Sequence, residues 1–489
     1  MSEGTTTKDS RWVALFVLCA GMLMIILDQT IVNVALPTIQ DDLKFTQSGL
    51  AWVVNAYLIA FGGLLLLAGR LGDLVGRKRI FLIGLAAFTV ASLLCGVSTS
   101  AEMLIVARFL QGVGGAMATA VTLGMIVTMF PKPAEQAQAI GVFSFVAAAG
   151  AAVGLLAGGV LTQALSWHWI FFVNLPIGIV AAALAYRLID NDRGIGLGKG
   201  ADVAGAVLIT SALMLGVYTI VKAADYGWGS LHTVGLGTVA LGLFAAFLVR
   251  QATAANPLLP LRIFRSRNVT GANLIQVLAI AGMFGMFFLG TLYMERVLSY
   301  DALQIGLAFL PVAILIGTLS VGFSARLSGR FGVRPVLLVG LSLLTAGLVL
   351  FARVPVEGRY VTDLLPAMLV LGTGAGLMFP SLMTLAMSSA TSSDAGLASG
   401  LVNTTAQVGG AIGLAVLATL SSARTGQLLA AGESRAAALT SGFHLAFWIG
   451  AVLVVTSIGV AVFVLRPAPV PESGPVLAGD AEPALEPVA

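Results

Sequence analysis

The stretch Met22-Leu23-Met24-Ile25-Ile26-Leu27-Asp28-Gln29-Thr30-Ile31-Val32-Asn33-Val34-Ala35-Leu36-Pro37 holds a single charged side chain. It lies inside an apolar run from Trp12 to Leu36 whose other interruptions, Gln29, Thr30 and Asn33, are polar, not charged. At about 1.5 Å per helical residue, such a run crosses a bilayer. A carboxylate in hydrocarbon costs about 2.5–3.5 kcal/mol on insertion scales. Asp28 is therefore expected to face a cavity, a partner or a proton path. The plainer alternative is a structural carboxylate tied to a neighbouring helix.

Composition extends this reading to the whole chain. Of 489 residues, 58% are hydrophobic and only 10% charged, which excludes an ordinary soluble protein. The chain reads as an all-α polytopic membrane protein, and its 58 glycines suit close helix packing. Cys19 and Cys95 lie in apolar runs, and His168, His232 and His444 are widely spaced, so neither a disulfide framework nor a metal set is expected. The net charge of +4 is not a nucleic-acid signal. No cleavable leader is expected, because residues 1–10 lead straight into a full-length span.

Roughly fourteen apolar spans of bilayer length can be marked. With the N-terminus in the cytoplasm, inner segments collect about eighteen basic residues against about seven outside, including Lys44, Lys222, Arg296 and Arg353. An even number of spans returns the C-terminus to the cytoplasm. Residues 467–489, rich in Pro, Ala and Glu, read as a disordered tail. An internal repeat is visible. Arg70-Leu71-Gly72-Asp73-Leu74-Val75-Gly76-Arg77 recurs as Arg326-Leu327-Ser328-Gly329-Arg330-Phe331-Gly332-Val333, and Gly112-Val113-Gly114-Gly115 as Gly372-Thr373-Gly374-Ala375-Gly376. The expected organisation is a cytoplasmic segment 1–11, a six-helix bundle 12–190, a linker with two extra spans 191–268, a second bundle 269–466 and the tail.

Three stretches carry a family resemblance. Leu27-Asp28-Gln29-Thr30-Ile31-Val32-Asn33-Val34-Ala35-Leu36-Pro37 resembles the first-helix motif of the fourteen-helix drug/proton antiporters of the major facilitator superfamily. Gly69-Arg70-Leu71-Gly72-Asp73-Leu74-Val75-Gly76-Arg77-Lys78-Arg79 is similar to the superfamily's loop motif, and Arg108-Phe109-Leu110-Gln111-Gly112-Val113-Gly114-Gly115 to its fourth-helix motif. The loop Asn256-Pro257-Leu258-Leu259-Pro260-Leu261-Arg262-Ile263-Phe264 also resembles this branch. Two positions depart from it. Leu155 stands where the branch usually has proline, leaving Gly154, Gly158 and Gly159 for close packing, and His168 stands where it usually has arginine. The resemblance implies a major facilitator fold: two six-helix bundles plus an inserted pair, fourteen transmembrane helices in all.

Candidate roles follow from depth. Asp28 and Arg108 fall at similar heights, so they are expected to interact directly or through Gln29, Gln111 and water. A nearby guanidinium favours a charged carboxylate while burial opposes it, so a small change of environment can move the proton. Glu295, near the outer end of the ninth span, is a second candidate proton or cation site; exposure at the interface is the plainer reading. Gly69, Arg70, Asp73, Gly76 and Arg77 are implied by the resemblance to latch the halves together. Gln29, Asn33, Gln111, Asn273, Gln276, Asn403 and Gln407, with Phe284 and Phe287, are expected to line a substrate cavity; Asn and Gln can equally glue helices. No Ser/His/Asp set, phosphate loop or metal spacing supports an enzyme.

The resulting expectation is a proton-coupled secondary exporter of small amphipathic, preferably cationic compounds, in which proton and cargo compete for Asp28. It would sit in the plasma membrane with both termini in the cytoplasm, work as a monomer, and need no cofactor beyond the proton. A dedicated exporter of one natural product is the near alternative, and a ligand sensor that moves nothing is a more distant one.

Overall fold

Seven of the described helices begin at a side-chain cap, and three end at the glycines Gly76, Gly227 and Gly332. Thr46, Ser100, Asp202, Ser230, Ser266, Asp301 and Ser434 each accept a backbone N–H from the first turn of the helix that follows. In the computed structural model, which describes residues 8–192, 194, 196, 200–387 and 395–465, all regular structure among these residues is helical. Arg193, Lys199 and Arg466, used in the charge count, and the tail 467–489 lie outside the described residues.

The helices are α1 (Lys8–Leu43), α2 (Gln47–Val75), α3 (Arg77–Gly96), α4 (Ala101–Met129), α5 (Pro133–Ala164), α6 (Trp169–Phe172), α7 (Asn174–Leu188), α8 (Val203–Tyr226) and α9 (Leu231–Thr253). They continue as α10 (Arg267–Arg296), α11 (Ala302–Thr318), α12 (Ser324–Phe331), α13 (Val333–Phe351), α14 (Leu365–Met387), α15 (Ala395–Ala430) and α16 (Arg435–Phe463). A π-helical turn, Leu319–Phe323, joins α11 to α12, and another, Tyr360–Leu364, leads into α14. Among the described residues, 12 helices are long and apolar enough to cross a membrane, and Ala152–Ala164 and Ala302–Thr318 are shorter apolar helices.

The repeat read from the sequence recurs in three dimensions. Gly76 closes α2 and opens α3 at φ 113°, and Gly332 does the same between α12 and α13 at φ 87°, a region that favours glycine. Gly112 packs on Tyr57 and Ala60 of α2, and Gly114 on Phe88 and Gly84 of α3. In the second half Gly372 meets Val312 of α11 and Gly374 meets Leu344 and Gly340 of α13. A methyl at Gly84 would lie 2.6 Å from the Ala118 backbone nitrogen, so these crossings require the missing side chain.

The halves meet along a seam where α2 packs on α15, α5 on α11 and α1 on α10. The α5 glycines serve both sides. A side chain at Gly158 would meet the Ile31 carbonyl of α1 at 2.7 Å, and one at Gly159 the Ala302 carbonyl of α11 at 2.7 Å. Leu155, in the place of proline, is buried. Its carbonyl lies 2.5 Å from where a side chain at Gly306 would begin. The pair α8 and α9 is pinned by Asp202, whose carboxylate accepts from Gly205 N (2.9 Å), Arg250 Nε (2.9 Å) and Gln251 Nε2 (2.8 Å). Burial alone would raise its pKa, but these donors outweigh it and hold the group below the ordinary carboxylate value. α8 then lies against both α2 and α15, across the seam.

Candidate functional site

Five helices converge on Asp28. Four residues of α1 beyond the turn that carries Met24, its carboxylate is fully buried, as are Arg108 and Gln111 of α4, Ser92 of α3 and Asn174 of α7. Arg108 Nη1 donates to Asp28 Oδ2 at 2.6 Å and to Gln111 Oε1 at 2.6 Å. Gln111 Nε2 donates to Asp28 Oδ1 (2.7 Å) and to Ser92 Oγ (2.8 Å). Asn174 Nδ2 donates to Asp28 Oδ1 at 2.9 Å. Arg108 Nε reaches the Val53 carbonyl of α2 at 2.9 Å, and its guanidinium sits 4.4 Å from the Tyr57 ring centre and 5.8 Å from that of Phe171. The spacing of Arg108 and Gln111, one helical turn apart, brings both side chains to the same face of α4.

The direct pair and the part of Gln111 agree with the sequence. Gln29 does not join them: its Nε2 donates to Tyr57 Oη at 3.2 Å. Asn174, Ser92 and Tyr57 were missed, because an uncharged polar residue in a span is common and carries no signal of its own. Asp28 has 0% exposure and three protein donors, so in this state it offers no face to a cargo molecule.

The expected cavity residues divide in the same way. Gln111 belongs to the Asp28 cluster. Asn33 Nδ2 bonds back to the Gln29 carbonyl (3.2 Å). Asn273 donates to the Val269 carbonyl (2.8 Å) and accepts from Thr405 Oγ1 (2.9 Å), which makes it helix glue between α10 and α15. Asn403 is exposed. Gln276 is 4% exposed, yet its Oε1, like that of Gln407, has no hydrogen-bond partner among the described residues. Gln407 faces Gly62 of α2 across the seam, and Phe284 and Leu58 meet at Gly410. Phe287 stacks obliquely on Phe309 with ring centres 5.2 Å apart. Gln407 and Phe284 thus lie where α15 and α10 approach α2.

Glu295 is not alone at its end of α10. Arg296 Nε lies 2.7 Å from Glu295 Oε2, close but not aligned as a hydrogen bond. Arg296 Nη2 crosses to α1, reaching Asp41 Oδ1 at 2.6 Å and the Pro37 carbonyl at 3.4 Å. A cavity of about 310 Å³ opens here, lined by Gln40, Asp41, Lys44, Arg296, Arg435 and Phe443 among others. On the opposite face Asp73 pairs with Arg77 (3.1 Å), and Arg77 Nη1 reaches the Gly124 carbonyl (3.0 Å). Arg70 Nε donates to the Gly200 carbonyl at 3.4 Å, and Gly69 approaches Ala120. Asp192 caps α3 by accepting from the N–H groups of Arg77 (2.6 Å) and Lys78 (3.1 Å). These contacts hold the motif to its own half and to the segment after α7. Asp192 was invisible in sequence, being over a hundred residues from the helix it caps. His168 stacks on Trp167 with ring centres 3.8 Å apart, and burial lowers its pKa against the pull of Asp42.

The Major Facilitator Superfamily model matches residues 18–414. The puromycin resistance protein pur8 of Streptomyces alboniger is 38% identical over 91% of this chain and 89% of its own length. The cephamycin export protein CmcT of Amycolatopsis lactamdurans is 36% identical over 99% and 96%. A bacterial homologue of the human lysosomal transporter Spinster, solved inward-facing and unoccupied, superposes with a TM-score of 0.66 at 15% identity, covering 93% of this chain and 97% of that one. With the family model spanning most of the chain and its helices suited to a bilayer, this multi-pass membrane protein is a transporter, not an enzyme, and belongs to the Major Facilitator Superfamily.

Proposed function

We propose that the chain is a proton-driven exporter of small amphipathic, preferentially cationic compounds, working by alternating access in the plasma membrane with both termini in the cytoplasm. The observation that carries the reading is the Asp28–Arg108 pair, buried within one bundle, hydrogen-bonded directly to α2 and α7 and through Gln111 to α3. A lone acid held at this expense is suited to take and release a proton as the helices around it shift. Cargo is assigned to Gln276, Gln407 and Phe284 of α10 and α15, where the two amide oxygens without a partner among the described residues suit the N–H groups of an amine. Proton and cargo are then linked through conformation instead of sharing one carboxylate. Arg296 closes the outer face on α1, Glu295 beside it is a second proton or cation site, and the Asp73–Arg77 loop steadies the inner face.

We read fourteen crossings: α5 is 32 residues long, and α11 runs on through its π turn into α12, so both shorter apolar helices belong to elements of bilayer length. A dedicated exporter of one compound is the second reading, favoured because several relatives are named for single products, such as puromycin, cephamycin and tetracenomycin C. Another is named a multidrug resistance protein.

The test is a tolerance screen against ethidium, puromycin and quaternary amines, with proton flux followed in everted vesicles. Wild type should confer tolerance, and added ethidium should dissipate an imposed proton gradient. Asp28→Asn should abolish both while still reaching the membrane. Unchanged gradient-driven export by Asp28→Asn would end the proposal, and tolerance to one compound alone would favour the second reading.

A further inference from the structure

Three donors hold the Asp28 carboxylate, and they differ in what they could do once it is neutral. Arg108 can only donate. Gln111 is pinned, because its Oε1 already accepts from Arg108 Nη1 (2.6 Å) and lies 3.5 Å from Cys95 Sγ. Turning its amide over would break the Arg108 bond. Asn174 is different. Its Nδ2 donates to Asp28 Oδ1 (2.9 Å) and approaches Ser92 Oγ (3.4 Å), while its Oδ1, in a fully buried side chain, has no partner among the described residues. A buried amide oxygen left without a donor costs about 1–3 kcal/mol.

We propose that Asn174 is a positioning residue that answers the protonation state of Asp28. Its amide donates to the ionised carboxylate, and after a half-turn about its last side-chain bond its oxygen accepts the new O–H of the neutral acid. This rests on the reading that Asp28 takes up the coupling proton. The proton added to Oδ1 stays on Asp28; only the amide turns, and Gln111 can keep donating to the same oxygen. Each state then leaves one end of the Asn174 amide satisfied by Asp28, so the proton can come and go without stranding an O–H in an apolar core.

The position of Asn174 gives the turn a consequence for the backbone. It opens α7, directly after the short α6, and Pro176 two residues on offers no N–H to the Phe172 carbonyl. The amide therefore acts at a break between two helical pieces, where a change of partner can be passed to the chain. Among the described residues, the titratable groups facing Asp28 from the surrounding helices are Arg108, Tyr57 and Cys95. Tyr57 Oη is the one neutral oxygen among them; it accepts from Gln29 Nε2 (3.2 Å), and no hydrogen bond joins it to Asp28.

The test uses the full chain in liposomes of phosphatidylethanolamine and phosphatidylglycerol, with isotope-labelled asparagine. Acid-minus-alkaline infrared difference spectra should show an Asn174 amide band, identified by its loss in Asn174→Ser, that shifts as Asp28 protonates and is static in Asp28→Asn. Asn174→Leu should lower ethidium–proton exchange about tenfold and change its pH profile, with ethidium binding unchanged. Asn174→Ser, whose hydroxyl can both donate and accept, should recover most of the exchange. An Asn174 band that is the same in acid and alkali, or wild-type exchange and pH profile in Asn174→Leu, overturns the proposal while leaving Asp28 in its role. Wild-type exchange by Asp28→Asn overturns the proton-site reading instead.

Discussion

Arg108 is held at three points: the Val53 carbonyl, the Asp28 carboxylate and the Gln111 oxygen, with two aromatic rings beside its guanidinium. Only a planar fork can meet that arrangement, whereas an ammonium is a point charge. Arg108→Lys should therefore keep the charge yet lower ethidium export at least about tenfold, with normal amounts of protein in the membrane; export at the wild-type rate would show that charge alone suffices. This is also the scale at which the sequence was most and least legible. Asp28 and Arg108 stood out because a charge in an apolar run has few cheap explanations. Asn174 and Ser92 complete the same cluster but carry no charge, and nothing in their spacing points to Asp28. Asn273 shows the converse: it read as a cavity liner and is consumed by Thr405 and the Val269 carbonyl.

At the level of elements, the spans, the repeat and the glycine crossings were legible because hydropathy and small residues act locally along the chain. What could not be read were contacts closed between distant segments, such as Asp192 on the first turn of α3. Asp202 is a further case. It caps α8 and receives Arg250 and Gln251 of α9 with its side chain 1% exposed. Asp202→Ala should cost about 2 kcal/mol through the lost cap and the donors left behind. It should lower the unfolding temperature in detergent without abolishing ethidium–proton exchange. Because the fold holds the Asp202 carboxyl below its ordinary value, its stabilisation is full above that ordinary value and is lost as pH falls from there through the lowered folded value. The difference in stability between wild type and variant should narrow in strong acid.

Across the whole molecule, the seam is fastened at one face by Arg296 of α10 reaching Asp41 and Pro37 of α1. If that contact keeps the outer face shut, Arg296→Ala should raise the labelling of a thiol at Asn33→Cys by a membrane-impermeant maleimide added outside. The native Cys19 and Cys95 are buried and should contribute little background. Unchanged labelling would place the closure elsewhere, in the α5–α11 glycine contacts. One arrangement reaches beyond the protein. α9 has only 17% of its most apolar window covered, while its companion α8 lies on both α2 and α15. Acyl chains thus press on one member of a pair whose other member straddles the moving joint. Turnover should accordingly depend on acyl-chain length in reconstituted vesicles, and cutting the α8–α9 tie at Asp202 should weaken that dependence, making the surrounding lipid a participant in the transport cycle.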